Sequence, residues 1–287
     1  MSNKEIPFSL ESPRYNLSDL RQVMAFLIGD NGCPWDRVQT HQTIRKNLIE
    51  EAYEAVDAID SGDSDRIKDE LGDVLLQVFF HSAIAEKQSD FDVDDVADNL
   101  CRKLIFRHSH LFGDDSADNP EDVLRLWDKN KMKEKSQESF SETLSDVPEG
   151  LPALMRSEKL QKRAAKVGFD WPDAKGALDK ISEETEEIER VFVEAGCPSH
   201  SKLEYIENPD LFDAVEDELG DLLFASVNYA RLLGIDPEVA LNRANNKFIK
   251  RFTEMELMAI EKFGGLSTIS LEEMDQLWEA AKEKEQK

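Results

Sequence analysis

A five-residue segment, Asp69-Glu70-Leu71-Gly72-Asp73, recurs unchanged as Asp217-Glu218-Leu219-Gly220-Asp221, and each copy runs into an apolar stretch with helical spacing. Upstream, Glu50-Glu51-Ala52-Tyr53-Glu54 is matched by Glu183-Glu184-Thr185-Glu186-Glu187. Downstream, Lys103 and Arg107 are matched by Lys247 and Arg251, and Leu126-Trp127 by Leu277-Trp278. One identical pentapeptide has a chance probability of roughly one in twenty, but four matches in the same order make a duplicated unit the better reading. Apolar residues recur at spacings of three and four, and alternating strand-like runs are scarce. Glycine and proline number only 13 and 10. The expectation is therefore an all-α chain of two tandem units, each a bundle of four or five helices. Scattered serines followed by Pro148-Glu149-Gly150 and Pro152 mark residues 136–152 as a linker between units at 15–135 and 153–287.

Composition removes several classes of function. With 35 Lys+Arg against 61 Asp+Glu the formal net charge is −26, which argues against a general nucleic-acid binder. The longest apolar runs, near Val74–Ala85 and Leu222–Leu233, are broken by Gln77, His81, Asn228 and Arg231. Neither reaches the roughly 18 apolar residues that a membrane-spanning helix needs. Met1 to Leu20 has no basic-then-apolar signal pattern, and Cys33, Cys101 and Cys197 lie far apart with no C-x-x-C. Both features fit a cytoplasmic protein with reduced thiols. Cys197 and His200 alone are too few ligands for zinc.

The acids carry the chemistry. A single E-E-x-x-E means little among 61 acidic residues, since roughly three such patterns arise by chance. Helical geometry adds weight: Glu184 and Glu187 share a face, as do Glu218 and Asp221. Bare carboxylates so close repel one another unless a cation lies between them. Val215, Leu219, Leu222 and Leu223 border the second pair, so these acids stand at the edge of a core. With no nearby His or Cys, the set suits Mg²⁺ or Mn²⁺. Glu51, Glu54, Glu70 and Asp73 form the corresponding, weaker site. Gly72 and Gly220 serve either close helix packing or room for a phosphate. Lys247 with Arg251, and Lys103 with Arg107, either pair with surface acids or contact phosphates. Trp127 and Trp278 either join the core or stack on a nucleobase. The chain has no G-x-x-x-x-G-K-[ST] phosphate loop and no G-x-S-x-G elbow.

These motifs, with Gly32-Cys33-Pro34-Trp35-Asp36, Leu151-Pro152-Ala153-Leu154-Met155-Arg156 and Lys166-Val167-Gly168-Phe169-Asp170-Trp171, resemble the MazG family of nucleoside triphosphate pyrophosphohydrolases. The resemblance runs from about Leu17 to Lys284. It implies Mg²⁺-dependent hydrolysis of NTPs and dNTPs to the monophosphate and pyrophosphate by a homodimer, in clearance of aberrant nucleotides or in stress-nucleotide metabolism. By position, Glu184, Glu187, Glu218 and Asp221 would hold the metal, with Glu183 a further acid and candidate general base. Lys247 and Arg251 would hold phosphates, and Trp278 would border the nucleotide. One departure is the long stretch Ile188–Asp217 between the acidic pairs. Its Cys197-Pro198 and Asn208-Pro209 predict that the first helix ends early and a loop intervenes.

The halves also differ in a way that assigns roles. Asn228 lies seven residues after Asp221, where the first half has Phe80. Asn245 lies two before Lys247, where the first half has Cys101. Both asparagines are candidate substrate contacts, so catalysis is expected in the second half. The first half would bind metal weakly, regulate or dimerise. Competing readings are a narrower dUTP/dCTP or phosphoribosyl-ATP pyrophosphohydrolase, or a non-catalytic acidic helical adaptor.

Overall fold

A computed structural model describes residues 6, 8–196 and 208–285 and divides the chain into two compact units, Met1–Glu134 and Lys135–Lys287. Among the described residues there is no strand. The first unit comprises α1 (Leu17–Ile28), α2 (His41–Ser61), α3 (Ser64–Gln88), α4 (Val93–Arg107), the short α5 (Ser109–Phe112) and α6 (Pro120–Glu134). The second comprises the short α7 (Phe140–Ser145), then α8 (Ala153–Ala165), α9 (Ala174–Glu194), α10 (Pro209–Leu232), α11 (Pro237–Phe263) and α12 (Leu271–Glu285).

Local chemistry sets the boundaries. Thr40 caps α2 in a reciprocal box with Thr43, and Gly62 ends it in the left-handed region at φ 71°. Asp63 then caps α3 by accepting from the Asp65 and Arg66 amides. A left-handed residue followed at once by a capping acid closes a two-residue turn between the helices. In the second unit Asp173 caps α9, while Asn208 and Asp236 cap α10 and α11, each with proline at the first helical position.

The packing order repeats as the sequence does. In the first unit α3 packs against α1, α2 and α4, and α4 against α6. In the second, α10 packs against α8, α9 and α11, and α11 against α12. Met24, Ile28, Ile44, Phe79, Phe80, Ala83 and Ile84 form the buried core of the first unit. In the second, Met255, Met258, Ala259, Leu277 and Ala281 join α11 to α12.

One stretch differs from the sequence reading. Residues 136–152, expected as a linker, contain α7, which packs on α8; Val147 is buried, and Asp146 accepts from Lys135 Nζ at 2.6 Å. The break read from Cys197-Pro198 and Asn208-Pro209 is present: α9 stops at Glu194, as far beyond Glu187 as α2 runs beyond Glu54, with buried Phe192 in its last turns, and α10 begins at Pro209. The additional length falls between α9 and α10, and Cys197-Pro198 and His200 lie outside the described residues. Cys33 and Cys101 are free thiols.

Ile44, 1% exposed, sits at the centre of the first core. Ile44→Ala should cost about 2–5 kcal/mol in urea denaturation, whereas Leu111→Ala at an exposed site should change stability by no more than about 0.5 kcal/mol.

Candidate metal centre and nucleotide site

The acidic centre of the second unit is built by the α9–α10 pair. Glu218 and Asp221, one turn apart on α10, face Glu184 on α9, and one carboxylate oxygen of each lies within 4.8 Å of the others. Glu184 is 3% exposed. Its Oε1 lies 2.6 Å from Lys180 Nζ, while its Oε2 is buried without a hydrogen-bond partner. Lys180 also donates to Glu183 Oε1 at 3.0 Å, and these acids push its ammonium well above the usual lysine range.

Glu187 stands outside that triple. Its side chain is half-buried and 3.6 Å from the Arg190 guanidinium. Its charge still reaches the centre: burial first, then Glu187, Glu184, Asp221 and Asp217, push the Glu218 carboxyl above its ordinary value.

The first unit repeats the arrangement. Glu51, Glu70 and Asp73 bring carboxylate oxygens within 4.8 Å of one another, with Glu54 outside the triple. Burial, then Asp73, Glu54, Glu70 and Glu50, raise the Glu51 carboxyl. Gln77 Nε2 donates to Glu51 Oε1 at 3.5 Å.

Three carboxylates converging from two helices, one with a sealed and unpartnered oxygen, form a donor set that fits a hard divalent cation. Neither triple contains His or Cys. A Cβ built on Gly72 or Gly220 would meet nothing within 4 Å, so close helix packing does not explain these glycines.

The predicted cationic and aromatic residues lie on α11 (Lys247, Arg251) and α12 (Trp278), and their first-unit counterparts on α4 (Lys103, Arg107) and α6 (Trp127). Arg251 Nε donates to Glu285 Oε2 at 2.7 Å, and in the first unit Arg107 Nε donates to Glu134 Oε2 at 2.7 Å. Sequence reasoning missed these partners. The signal was present, since Glu134 and Glu285 each lie seven residues beyond the repeated tryptophan. Trp278 is partly buried against the α11–α12 core, its ring centroid 5.2 Å from that of Phe248. Trp127 lies under the Arg107 guanidinium at 5.2 Å. Lys247 and Asn245 are exposed. Asn228 Oδ1 accepts from Arg231 Nε at 2.9 Å and Nη2 at 2.7 Å, and Arg231 is paired with Asp170.

An acid triple held across a helix hairpin and built twice in one chain defines a tandem all-α protein with a carboxylate centre in each unit. The MazG nucleotide pyrophosphohydrolase domain matches residues 39–112 and 174–255, the two segments that carry these centres. The nucleoside triphosphate pyrophosphohydrolase of Escherichia coli is 41% identical over 256 residues, covering 89% of this chain and 92% of the relative. A Thermotoga maritima protein named nucleoside triphosphate pyrophosphohydrolase/pyrophosphatase MazG is 41% identical over 265 residues, covering 92% and 94%. An uncharacterized Bacillus subtilis protein, YabN, is 43% identical over 273 residues, covering 95% of this chain and 53% of its own length. The chain belongs to the MazG nucleotide pyrophosphohydrolase family. Among the described residues no helix is long and apolar enough to cross a membrane.

The raised Glu218 carboxyl gives a signed expectation. The folded protein holds this proton more tightly than the unfolded chain does. In the absence of metal, the group's contribution is therefore most favourable below the ordinary glutamate range and is lost as pH rises through the raised value. Glu218→Gln should melt above the wild type at neutral pH in EDTA, and the two should converge as pH falls below that range. Scanning calorimetry across pH measures both trends, and a lower melting temperature for the variant at neutral pH contradicts the crowding account.

Proposed function

We propose that this protein hydrolyses nucleoside triphosphates, both NTPs and dNTPs, to the monophosphate and pyrophosphate in a Mg²⁺-dependent reaction carried mainly by the second unit. The unpartnered, buried Oε2 of Glu184 within a triple of carboxylates is the observation that carries this reading. Glu184, Glu218 and Asp221 would hold Mg²⁺ (or Mn²⁺), with Glu187 adjacent. When bound, the ion supplies positive charge to the phosphates and polarises the phosphorus under attack.

The chain's own groups have separate tasks. Lys180, now drawn onto Glu183 and Glu184, supplies a cation that can turn to a phosphate oxygen. Glu285 holds Arg251 through Nε, which leaves the terminal nitrogens for the departing pyrophosphate, and exposed Lys247 lies one turn before on the same face. Glu183 is the candidate acceptor for the proton of the attacking water. Open space beside Gly220 favours access of a phosphate chain to the acids. Trp278 and Asn245 border the nucleotide.

The first unit retains its acids and serves as a weaker metal site or a regulatory one. Exposed apolar residues on α10 and α11, among them Leu223 and Ile249, support a homodimer. The setting that fits best is the cytoplasm, in clearance of the nucleotide pool or in stress-nucleotide metabolism, with no nucleic-acid or membrane partner.

Incubation with Mg²⁺ and a panel of NTPs and dNTPs should release pyrophosphate; orthophosphate as the primary product would overturn the reaction. Glu218→Gln should lose about 100-fold or more in kcat, since changes even behind metal ligands cost about 10–100-fold. Glu70→Gln should remain within a few-fold of the wild type, and equal losses would sink the assignment to the second unit. A non-catalytic adaptor would give neither turnover nor a Mg²⁺-dependent rise in melting temperature.

A further inference from the structure

Beside the acidic centre of the second unit lies a cleft of about 490 Å³ between α8, residues 168–171 and the second half of α10. Its walls include the rings of Phe169, Trp171 and Phe224, and its polar lining includes Gln161, Asn228 and Arg231. Mostly apolar walls with a few fixed polar groups are the usual make-up of a small-molecule site of this size.

Three features show that the cleft is built rather than accidental. First, Trp171 is seated on α9 by a glycine: a Cβ at Gly176 would come within 2.6 Å of the indole ring. Second, the amide of Asn228 is oriented. Arg231, anchored by Asp170, donates to Oδ1, so Nδ2 is turned away as a donor. Third, Gln161, 6% exposed, spends its Nε2 on the Phe224 carbonyl at 2.8 Å, and its Oε1 is buried without a partner. A buried polar side chain with one unspent acceptor in a cleft wall calls for a donor from elsewhere.

The duplication supplies an internal control. In the first unit Phe80 occupies the position of Asn228 and is buried, its ring 6.5 Å from that of Trp35. Counted back from the helix ends, α1 presents Met24 where α8 presents Gln161, and Met24 and Phe80 belong to one buried cluster. The same architecture thus has this space packed with side chains in one unit and open, with oriented polar groups, in the other.

Asp221 and Asn228 share a face of α10 two turns apart, which places the cleft about 10 Å from the acids. That span suits a ligand whose phosphates lie at the acids and whose ring system lies beyond them. We propose that the cleft takes the nucleobase and sugar of the nucleotide, with Trp171 and Phe224 against the ring faces and Asn228 and Gln161 reading its polar edge as donor and acceptor. This assignment rests on the nucleotide chemistry proposed above. It makes the second unit the one that selects among bases, and the first a unit that engages phosphate without selecting.

Calorimetric titration of the full chain with AMP, GMP, CMP and UMP in Mg²⁺ tests it. The wild type should rank the four unequally. Asn228→Phe, which installs the first unit's residue, should weaken the preferred nucleotide by about tenfold or more and flatten the ranking, because it removes a donor and fills the space. Retention of the Mg²⁺-induced rise in melting temperature reports that the variant is folded. Phe169→Ala changes a side chain 82% exposed, so folding is not at issue, and it should weaken binding several-fold. Wild-type affinity and ranking in Phe169→Ala and in folded Asn228→Phe would overturn the cleft assignment while leaving pyrophosphate release untouched. Should Asn228→Phe fail to fold, unchanged ranking in Phe169→Ala and Gln161→Leu would overturn it equally. A wild type that binds and ranks the monophosphates yet releases no pyrophosphate would support the cleft and defeat the reaction instead.

Discussion

Repulsion among carboxylates is the constraint on which the rest of the structure depends. In each unit three acidic side chains from two helices are brought within 4.8 Å, against their mutual charge and partly out of water. Only firm packing of the helix pair tolerates such an arrangement, and each site-bearing pair is braced by a third helix, α1 behind α3 and α8 behind α10. Lys180 takes up part of the charge in the second unit, and Gln77 plays a smaller, neutral part in the first. The surplus of acid across the rest of the surface is a matter of solubility and is distinct from this local concentration.

Much of this was legible in the sequence because it was encoded locally and twice. The repeated pentapeptide and the helical spacing of Glu218 and Asp221 needed no tertiary knowledge, whereas Leu219 and Leu223, expected to mark the edge of a core beside them, are exposed. What was hidden depends on contacts distant in the chain. Arg251 finds Glu285, and Gln161 finds the Phe224 carbonyl, only once α11 meets α12 and α8 meets α10. The break between α9 and α10 was legible too, because Cys197-Pro198 and Asn208-Pro209 mark it in the chain and α9 ends at Glu194 before α10 begins at Pro209. Of the four acids expected to act together, Glu184, Glu218 and Asp221 form the close triple, and Glu187, outside it, still heads the charges that add to burial in raising Glu218.

The two units illustrate how a duplicated fold can diverge without losing its frame. Acids, paired arginines and tryptophans keep their places, so the helices pack in the same order. Divergence falls on a few side chains between the first and third helices of each unit. Phe80 and Met24 seal that space with apolar contacts, which adds to the first unit's core. Asn228 and Gln161 put polar groups in place of those apolar contacts, and the second unit carries an open cleft instead. Stability and recognition compete here for the same volume.

The connections between the acid-bearing helices carry a consequence for how each centre keeps its register. In the first unit, Gly62 and Asp63 alone join α2 to α3, so the turn itself fixes how far one helix is shifted along the other. In the second, α9 ends at Glu194 and α10 begins at Pro209, yet Glu184, Glu218 and Asp221 converge as closely as their counterparts. Loop-closure entropy grows only slowly with length, by about 0.6 kcal/mol per doubling. Packing between α9 and α10 brings the second set of acids together, so they meet without the two-residue turn that sets the register of the first.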